Sequence, residues 1–354
     1  MRVLRAVVGT ICLLVASTCV AQKPETAIRA EVQRLNAIVA KAGDGEMWKD
    51  VKPMATESLA NCEAALDRGR VYLSLLELVR AERLVTAASY GDGQTKDGAG
   101  FENQWKDERA KLATFTSRSP GTWKAPLAAR ALEEAARGQV MPTVNAAKAY
   151  APVTEVKYGF FYMGDAQALA DFSRTVREMQ FAEVPSAPRV GSIAPELREL
   201  QQKANAAFKP PLSRDKHSQF IRLNSTLKVA EELDGARLYA GSWYEYLMAV
   251  VQYSTLKAQP IDATKQNALR ERIAAELKKP APSGVDDSLR RLFLEQAEAA
   301  VVKAPASAED LGRASAIVDE VLPAYAELVS GAKKAPTKKA TQLATVTLVR
   351  WPYT

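Results

Sequence analysis

The sequence has little of what metal and cofactor sites usually need. It contains one histidine and three cysteines in 354 residues. The single histidine, His217, excludes zinc sites built from several histidines, and no Cys-x-x-Cys-His motif for haem attachment occurs. There is no Gly-Lys-Ser/Thr phosphate loop, and Asp92 and Asp97 lack the spacing of calcium-loop ligands. We therefore predict neither a cofactor nor a metal site.

The cysteines also bear on the compartment. Residues 1–21 begin with two arginines, continue with an apolar run over residues 6–16 and end in a small residue, which is typical of an export signal. We predict cleavage before Gln22 and a periplasmic or extracellular protein. Lipidation at Cys19 is the alternative, but a Thr precedes it where Gly, Ala or Ser is usual. After cleavage only Cys62 remains, which excludes an internal disulfide, and its place on an apolar helix stripe predicts a buried, inert thiol.

The positive charge is not spread over the protein. The formal net charge is +7, and the predicted signal accounts for two of these charges. Four more lysines lie together near the C-terminus, at Lys333, Lys334, Lys338 and Lys339. Because the rest of the chain is then close to neutral, we predict no nucleic-acid binding. No stretch after the signal is apolar enough to cross a bilayer.

Apolar residues recur every three or four positions through most of the chain, which predicts an all-α fold. We expect roughly ten helices, arranged as a bundle or a short α-solenoid. Gly138 is predicted to end one of them, and Gly159 and Gly164 to allow a close helix crossing. The predicted helices cover residues 25–42, 56–89, 103–114, 126–137, 143–150, 157–179, 196–208, 213–257, 262–278, 286–303 and 308–330.

The C-terminus differs from the rest. Residues 331–341 are predicted to be a linker, and residues 345–351 alternate in the manner of a β-strand. A single strand is not stable unpaired. It therefore either packs on its own chain as an extended tail or adds to the sheet edge of a protein partner.

Two segments of the chain resemble each other. The segment 66–72 reads LDRGRVY and the segment 233–239 reads LDGARLY, and each lies within a long predicted helix. Residues 127 and 132–135 match residues 289 and 294–297 in the same order. These matches predict an internal duplication with an N-terminal half over residues 22–184 and a C-terminal half over residues 196–330. The Pro-containing segment 184–195 separates the halves.

The duplicated segments also supply the candidate site residues. On one continuous helix, an Asp and an Arg three positions apart can pair on one face, and we predict either a surface pair or a pair buried at a helix crossing. A Tyr two positions further points to another face. If a pocket exists here, its predicted binding residues are Asp67, Arg70, Tyr72, Asp234, Arg237 and Tyr239.

Two functional hypotheses follow from these patterns. The first is an exported, non-enzymatic scaffold or binding protein that acts through protein–protein contacts of its helices. The alternative is an enzyme or small-ligand-binding protein with dispersed Asp, Glu, Arg and Tyr side chains in a groove between the halves. No catalytic residue is predicted. A pocket lined by the candidate residues favours the alternative, whereas a solid interior with a broad apolar surface favours the scaffold.

Overall fold

The structure is a computed structural model of the chain, and it describes residues 22–92, 98–117, 123–149, 151, 156–181, 189–209, 215–257, 265–280, 285–302 and 306–331. The predicted signal and the predicted C-terminal strand lie outside these residues. Within them the fold is helical, and Gln22 and Met179 form an isolated β-bridge. The all-α prediction is confirmed.

The helices follow one another as α1 (Pro24–Lys41), α2 (Glu46–Asp67), α3 (Val71–Asp92), α4 (Gly98–Ser117), α5 (Leu127–Ala149), α6 (Val156–Glu178), α7 (Ala194–Ala207), α8 (His217–Gly235), α9 (Tyr239–Lys257), α10 (Gln266–Lys278), α11 (Ser288–Val302), α12 (Ala308–Ala316) and α13 (Leu322–Ser330). A π-helical turn, Ile317–Val321, joins α12 to α13. The Leu322 amide donates to the Ile317 carbonyl five residues earlier, which is the hydrogen bond of a π-turn, and Pro323, which has no amide to donate, comes next.

The two long helices predicted from the sequence are wrong, because each is a pair of helices joined by a tight turn. Between α2 and α3, Gly69 adopts a left-handed φ of 70°. The Gly69 amide donates to the Leu66 carbonyl at 2.9 Å, and the Arg70 amide donates to the Ala65 carbonyl at 2.9 Å. This is the Schellman pattern of a helix end, in which the left-handed residue reverses the chain.

The turn between α8 and α9 has the same hydrogen bonds. Here the left-handed residue is Arg237, at φ 61°. Its amide donates to the Asp234 carbonyl at 3.0 Å, and the Leu238 amide donates to the Leu233 carbonyl at 2.9 Å. A non-glycine residue at this φ is uncommon, so the residue type at position 237 does not indicate a turn.

The predicted helix end at Gly138 is also wrong, since α5 continues through Gly138 and Pro142 to Ala149. A Cβ at position 138 would lie 2.2 Å from Cδ2 of Leu233, so the glycine serves packing. The predicted close crossing at Gly164 is confirmed. A Cβ there would lie 2.8 Å from the Thr86 carbonyl oxygen, because α6 crosses α3 nearly backbone to backbone.

The helices pack as a bundle around one large core, and a smaller buried cluster lies beside it around Phe101 and Phe160. Buried apolar side chains run without interruption from Ile28 on α1, through Phe172 on α6 and Phe293 on α11, to Tyr325 on α13. In the first part of the chain α2 packs on α3, α3 on α6, and α5 on both α4 and α6. In the second part α8 packs on α9, α9 on α12, and α11 on both α10 and α12. Helix α5 meets α9 and α11, and α11 also meets α3.

Candidate functional site

The turn between α2 and α3 separates the three candidate residues around it. Asp67 ends α2, and its exposed carboxylate accepts a hydrogen bond from Arg29 at 2.7 Å. Arg70 follows the turn and forms an ion pair with Glu298 of α11. Tyr72 is half-buried, and burial, with a smaller effect of the Asp286 carboxylate, raises its pKa to about 12. Asp67 and Arg70 therefore do not pair on one helix face as predicted.

The turn between α8 and α9 separates its residues in the same way. The Asp234 carboxylate accepts hydrogen bonds from the Ile193 amide at 2.9 Å and the Ser192 hydroxyl at 2.6 Å, so it fixes the segment before α7. The side chain of Arg237 is exposed and makes no hydrogen bond or ion pair with any described residue. Tyr239 is the first residue of α9. An Asp–Arg pair within one helix is therefore wrong here too.

A buried carboxylate of α11 meets the start of α3. The Glu295 side chain is only 1% exposed, and its Oε1 accepts a hydrogen bond from Arg291 at 3.1 Å. Burial raises the pKa of Glu295, while Arg291, Arg70 and the backbone amide of Leu73 act in the opposite direction. The Leu73 amide belongs to the first turn of α3, where amides have no partner within the helix and favour a negative charge.

A carboxylate of α5 meets the start of α9 in the same manner. Glu134 accepts a hydrogen bond from the Gly241 amide at 3.0 Å, and its Oε1 lies 3.6 Å from Arg130, one turn earlier on its helix. Burial raises the pKa of this carboxyl, and the Gly241 amide and Arg130 lower it. Helix α3 thus begins on a carboxylate of α11, and helix α9 begins on a carboxylate of α5.

These contacts give a different register from the one predicted from the sequence. The sequence match pairs Gly69 with Ala236, whereas the left-handed residue that corresponds to Gly69 is Arg237. It also pairs Glu133 with Glu295, whereas the carboxylate that corresponds to Glu295 is Glu134. The identical letters in the two segments therefore do not occupy equivalent positions.

A groove of about 590 Å³ lies where α2 and α3 face α11 and α12, and we call it the central groove. Of the six candidate residues only Arg70 lines it. Met54 and Val302, which are 39% and 42% exposed, contribute apolar surface. Its charged lining consists of Arg68, Arg70, Arg80, Arg83, Arg313, Glu57, Glu77, Glu295, Glu298 and Asp310.

Several of these charges are held in place by their neighbours. Arg80 donates to Glu77 at 2.6 Å, one turn earlier on α3. Arg83 binds both oxygens of Asp165 of α6, at 2.7 and 2.9 Å, in the two-pronged geometry that fixes a guanidinium plane. Two arginines of the α3 wall are therefore held in a fixed orientation, Arg80 by Glu77 of the same wall and Arg83 by Asp165 of α6.

Three buried polar atoms of residues that line the central groove have no hydrogen-bond partner among the described residues. They are Nε of Arg70, Oε2 of Glu295 and Nε2 of Gln296. A buried polar group without a partner costs about 1–3 kcal/mol, so native proteins leave few of them. Three such atoms at one groove, two donors and one acceptor, make the central groove the candidate site.

The sequence pointed to Arg70 but not to Glu295, Gln296 or Glu298. A sign was present, since Glu295 and Gln296 interrupt the apolar sequence Leu292–Leu294 and Ala297 of α11. A carboxylate in such surroundings is rarely buried without a partner. The pattern alone does not tell which helix provides the partner.

Other kinds of site are not found in the described part of the chain. Within it, no group of three or more histidine, cysteine or acidic residues could hold a metal ion. His217 is exposed at the first turn of α8, 5.9 Å from the ring of Phe208. Cys62 is buried, as predicted, and burial raises its pKa to about 12. None of the helices searched there is both apolar and long enough to cross a membrane.

The comparisons with known proteins provide no relative from which a function could be inferred. No protein-family model matches the chain, and neither the curated proteins nor the solved structures contain a significant match to it.

Proposed function

We propose that this chain is an exported binding protein for a small zwitterionic ligand of the amino-acid or short-peptide type, which it holds in the central groove. The observation that carries the proposal is the set of three unpartnered atoms on Arg70, Glu295 and Gln296. Two of them donate hydrogen bonds and one accepts. Export is inferred from the pattern of residues 1–21 alone.

The chemistry of the ligand follows from these atoms. Arg70 Nε and the Gln296 amide require an acceptor, and a carboxylate supplies two oxygens for them. Glu295 Oε2 requires a donor, and an ammonium group supplies it together with an opposite charge. A ligand that carries both groups satisfies all three atoms at once. The nearly balanced charges of the lining fit a ligand without net charge.

Size and surface agree with this class of ligand. A volume of about 590 Å³ lies within the range of about 300–1,000 Å³ that is usual for small-molecule sites. Met54 and Val302 offer apolar surface to the side chains of a dipeptide. They are two of the three large exposed hydrophobic residues of the described chain, the third being Tyr158. The described residues therefore give no support for the broad apolar face that a scaffold would need.

The proposal also includes an internal duplication of six helices, α1–α6 and α7–α13, the last two being one interrupted helix. It is supported by the matching packing pairs, by the two Schellman turns and by the exchanged carboxylates Glu134 and Glu295. The central groove then lies between helices of both halves. No observation favours catalysis in the groove, and binding alone is proposed.

The test is a thermal-shift and calorimetric titration with alanyl-alanine. We expect saturable binding, with no binding of N-acetylalanine, which lacks the ammonium, or of alanine amide, which lacks the carboxylate. Glu295→Gln keeps the side-chain shape but removes the charge, and it is expected to weaken binding about tenfold or more. Glu134→Gln is the matched control, because Glu134 meets a helix start in the same way but does not line the groove.

Two outcomes would refute the proposal. One is a wild-type protein that binds neither alanyl-alanine nor alanine at concentrations up to about 10 mM, which is about the weakest dissociation constant of a useful site. The other is a Glu295→Gln variant that binds as tightly as the Glu134→Gln variant. If the full-length protein binds N-acetylalanine equally well, the ligand is an anion and the role of Glu295 is wrong.

A further inference from the structure

A second groove, of about 540 Å³, lies on the other side of α3. It is formed by α1, α3 and α6, and we call it the α1–α3–α6 groove. Glu82, Thr86 and Tyr90 line it from successive turns of α3. None of these residues lines the central groove, so the two grooves are separate sites on opposite faces of one helix.

Glu82 is the most unusual residue of this groove. Its side chain is 2% exposed, and its Oε2 has no hydrogen-bond partner among the described residues. Its Oε1 lies 3.7 Å from Nη2 of Arg34, which is beyond hydrogen-bond distance. Burial raises the pKa of Glu82 well above its usual value, and Glu31 and Asp171 raise it further, against Arg34 and Arg174.

The arginines of the groove are engaged elsewhere. Arg34 donates to Glu31 through Nε at 2.7 Å, and its Nη2 contacts the same oxygen. Arg174 is in contact with Asp171 one turn before it on α6. Asp171 also accepts hydrogen bonds from Gln167 at 3.0 Å. Arg34 lies within ion-pair distance of Oε1 of Glu82, but neither guanidinium donates a hydrogen bond to Glu82.

The charges of the groove do not balance. Four acidic side chains face two arginines, namely Glu31, Glu82, Asp171 and Glu178 against Arg34 and Arg174. A groove of this charge attracts cations, and a cation at Glu82 would meet a carboxylate whose second oxygen is unused. The described residues hold no metal-ligand cluster, so an organic cation fits the groove better than a metal ion.

We propose that the α1–α3–α6 groove binds a primary ammonium group of an aliphatic amine or diamine, which pairs with Oε2 of Glu82. The ammonium donates three hydrogen bonds. One of these goes to Glu82. The Thr86 hydroxyl, which lies on α3 with Glu82, and the Asp171 carboxylate, which lies on α6, are further acceptors in the groove. This site is independent of the central groove and of the ligand proposed there.

The first experiment is a calorimetric titration of the full chain with putrescine at low ionic strength, where screening is weak. We expect saturable binding of putrescine and none of 1,4-butanediol, which has the same length without charge. Glu82→Gln is expected to weaken putrescine binding by about tenfold or more. Glu295→Gln, in the central groove, is expected to leave putrescine binding unchanged. A failure of the putrescine site can thus be told apart from a failure of the site in the central groove.

A second pair of variants keeps the proposal testable if Glu82→Gln does not fold. Thr86→Lys places an ammonium four residues after Glu82 on the same helix face, the favourable orientation for a Glu–Lys pair. It is expected to raise the melting temperature and to abolish putrescine binding, whereas the uncharged Thr86→Gln, which keeps an acceptor oxygen at this position, weakens binding far less. The proposal is wrong if wild-type protein shows no saturable binding up to about 10 mM putrescine, or if Thr86→Lys binds like Thr86→Gln.

Discussion

The left-handed turns at Gly69 and Arg237 lead to a prediction in which two substitutions change stability in opposite directions. The two residues occupy the same place in the Schellman turns, with φ of 70° and 61°. One is a glycine and the other an arginine. The variants Gly69→Arg and Arg237→Gly place each residue type at the position of the other, in the same left-handed backbone conformation.

The magnitude follows from the backbone alone. A left-handed conformation costs an L-residue roughly 1–2 kcal/mol relative to glycine. A Cβ added at Gly69 would meet nothing within 4 Å, so no packing change adds to this cost. The Arg237 side chain is exposed and has no partner among the described residues, so its removal loses no contact. We expect Gly69→Arg to destabilise the protein and Arg237→Gly to stabilise it, each by about 1 kcal/mol.

Urea unfolding followed by circular dichroism measures both changes in the free energy of unfolding. The opposite signs decide between the structure and the continuous helices that the sequence predicted. Inside a continuous helix, glycine is worse than arginine by somewhat under 1 kcal/mol. Gly69→Arg would then stabilise and Arg237→Gly would destabilise. That pair of results would refute the turns, and with them the register that relates Glu134 to Glu295.

Three further predictions concern packing and hydrogen bonds. Asp234→Ala removes the acceptor for the Ile193 amide and should lower the free energy of unfolding in urea by about 1–2 kcal/mol. Asp67→Ala loses only an exposed ion pair and should lower it by less than about 1 kcal/mol. Equal losses would contradict the different environments of the two carboxylates. Gly164→Ala places a Cβ 2.8 Å from a carbonyl oxygen of α3 and should cost about 1–3 kcal/mol, so a neutral result would mean that the helices are further apart. Cys62 should resist iodoacetamide at pH 8 in native protein and react in urea, as peptide mass spectrometry can show, because burial holds its pKa near 12 and the thiol stays protonated.

The helices could be predicted from the sequence because their apolar periodicity is a local property. The predicted helix 25–42 agrees with α1, Pro24–Lys41, and 157–179 agrees with α6, Val156–Glu178. Helix α1 has a regular apolar stripe. Pro24 marks its start and Gly43 follows its end, and the effect of both residues depends only on their neighbours.

The helix breaks could not be predicted in the same way. Gly69 and Gly138 are both glycines within helical patterns, yet one ends a helix and the other does not. The difference is tertiary, because Leu233 packs against Gly138, while nothing lies near Gly69. Arg237 gives no local sign of a turn, because an arginine rarely adopts a left-handed φ.

The candidate site shows the same division. The sequence by itself determined an all-α chain whose single histidine excludes zinc sites built from several histidines, and it singled out Arg70 as one member of a repeated segment. Only the tertiary structure decided that Arg70 meets Glu295 and Glu298 across a groove, and that Glu82 lies buried beside a second one. The physical reason is range. Apolar periodicity acts over a few residues, whereas an unpartnered buried charge is defined by helices that are distant in the chain.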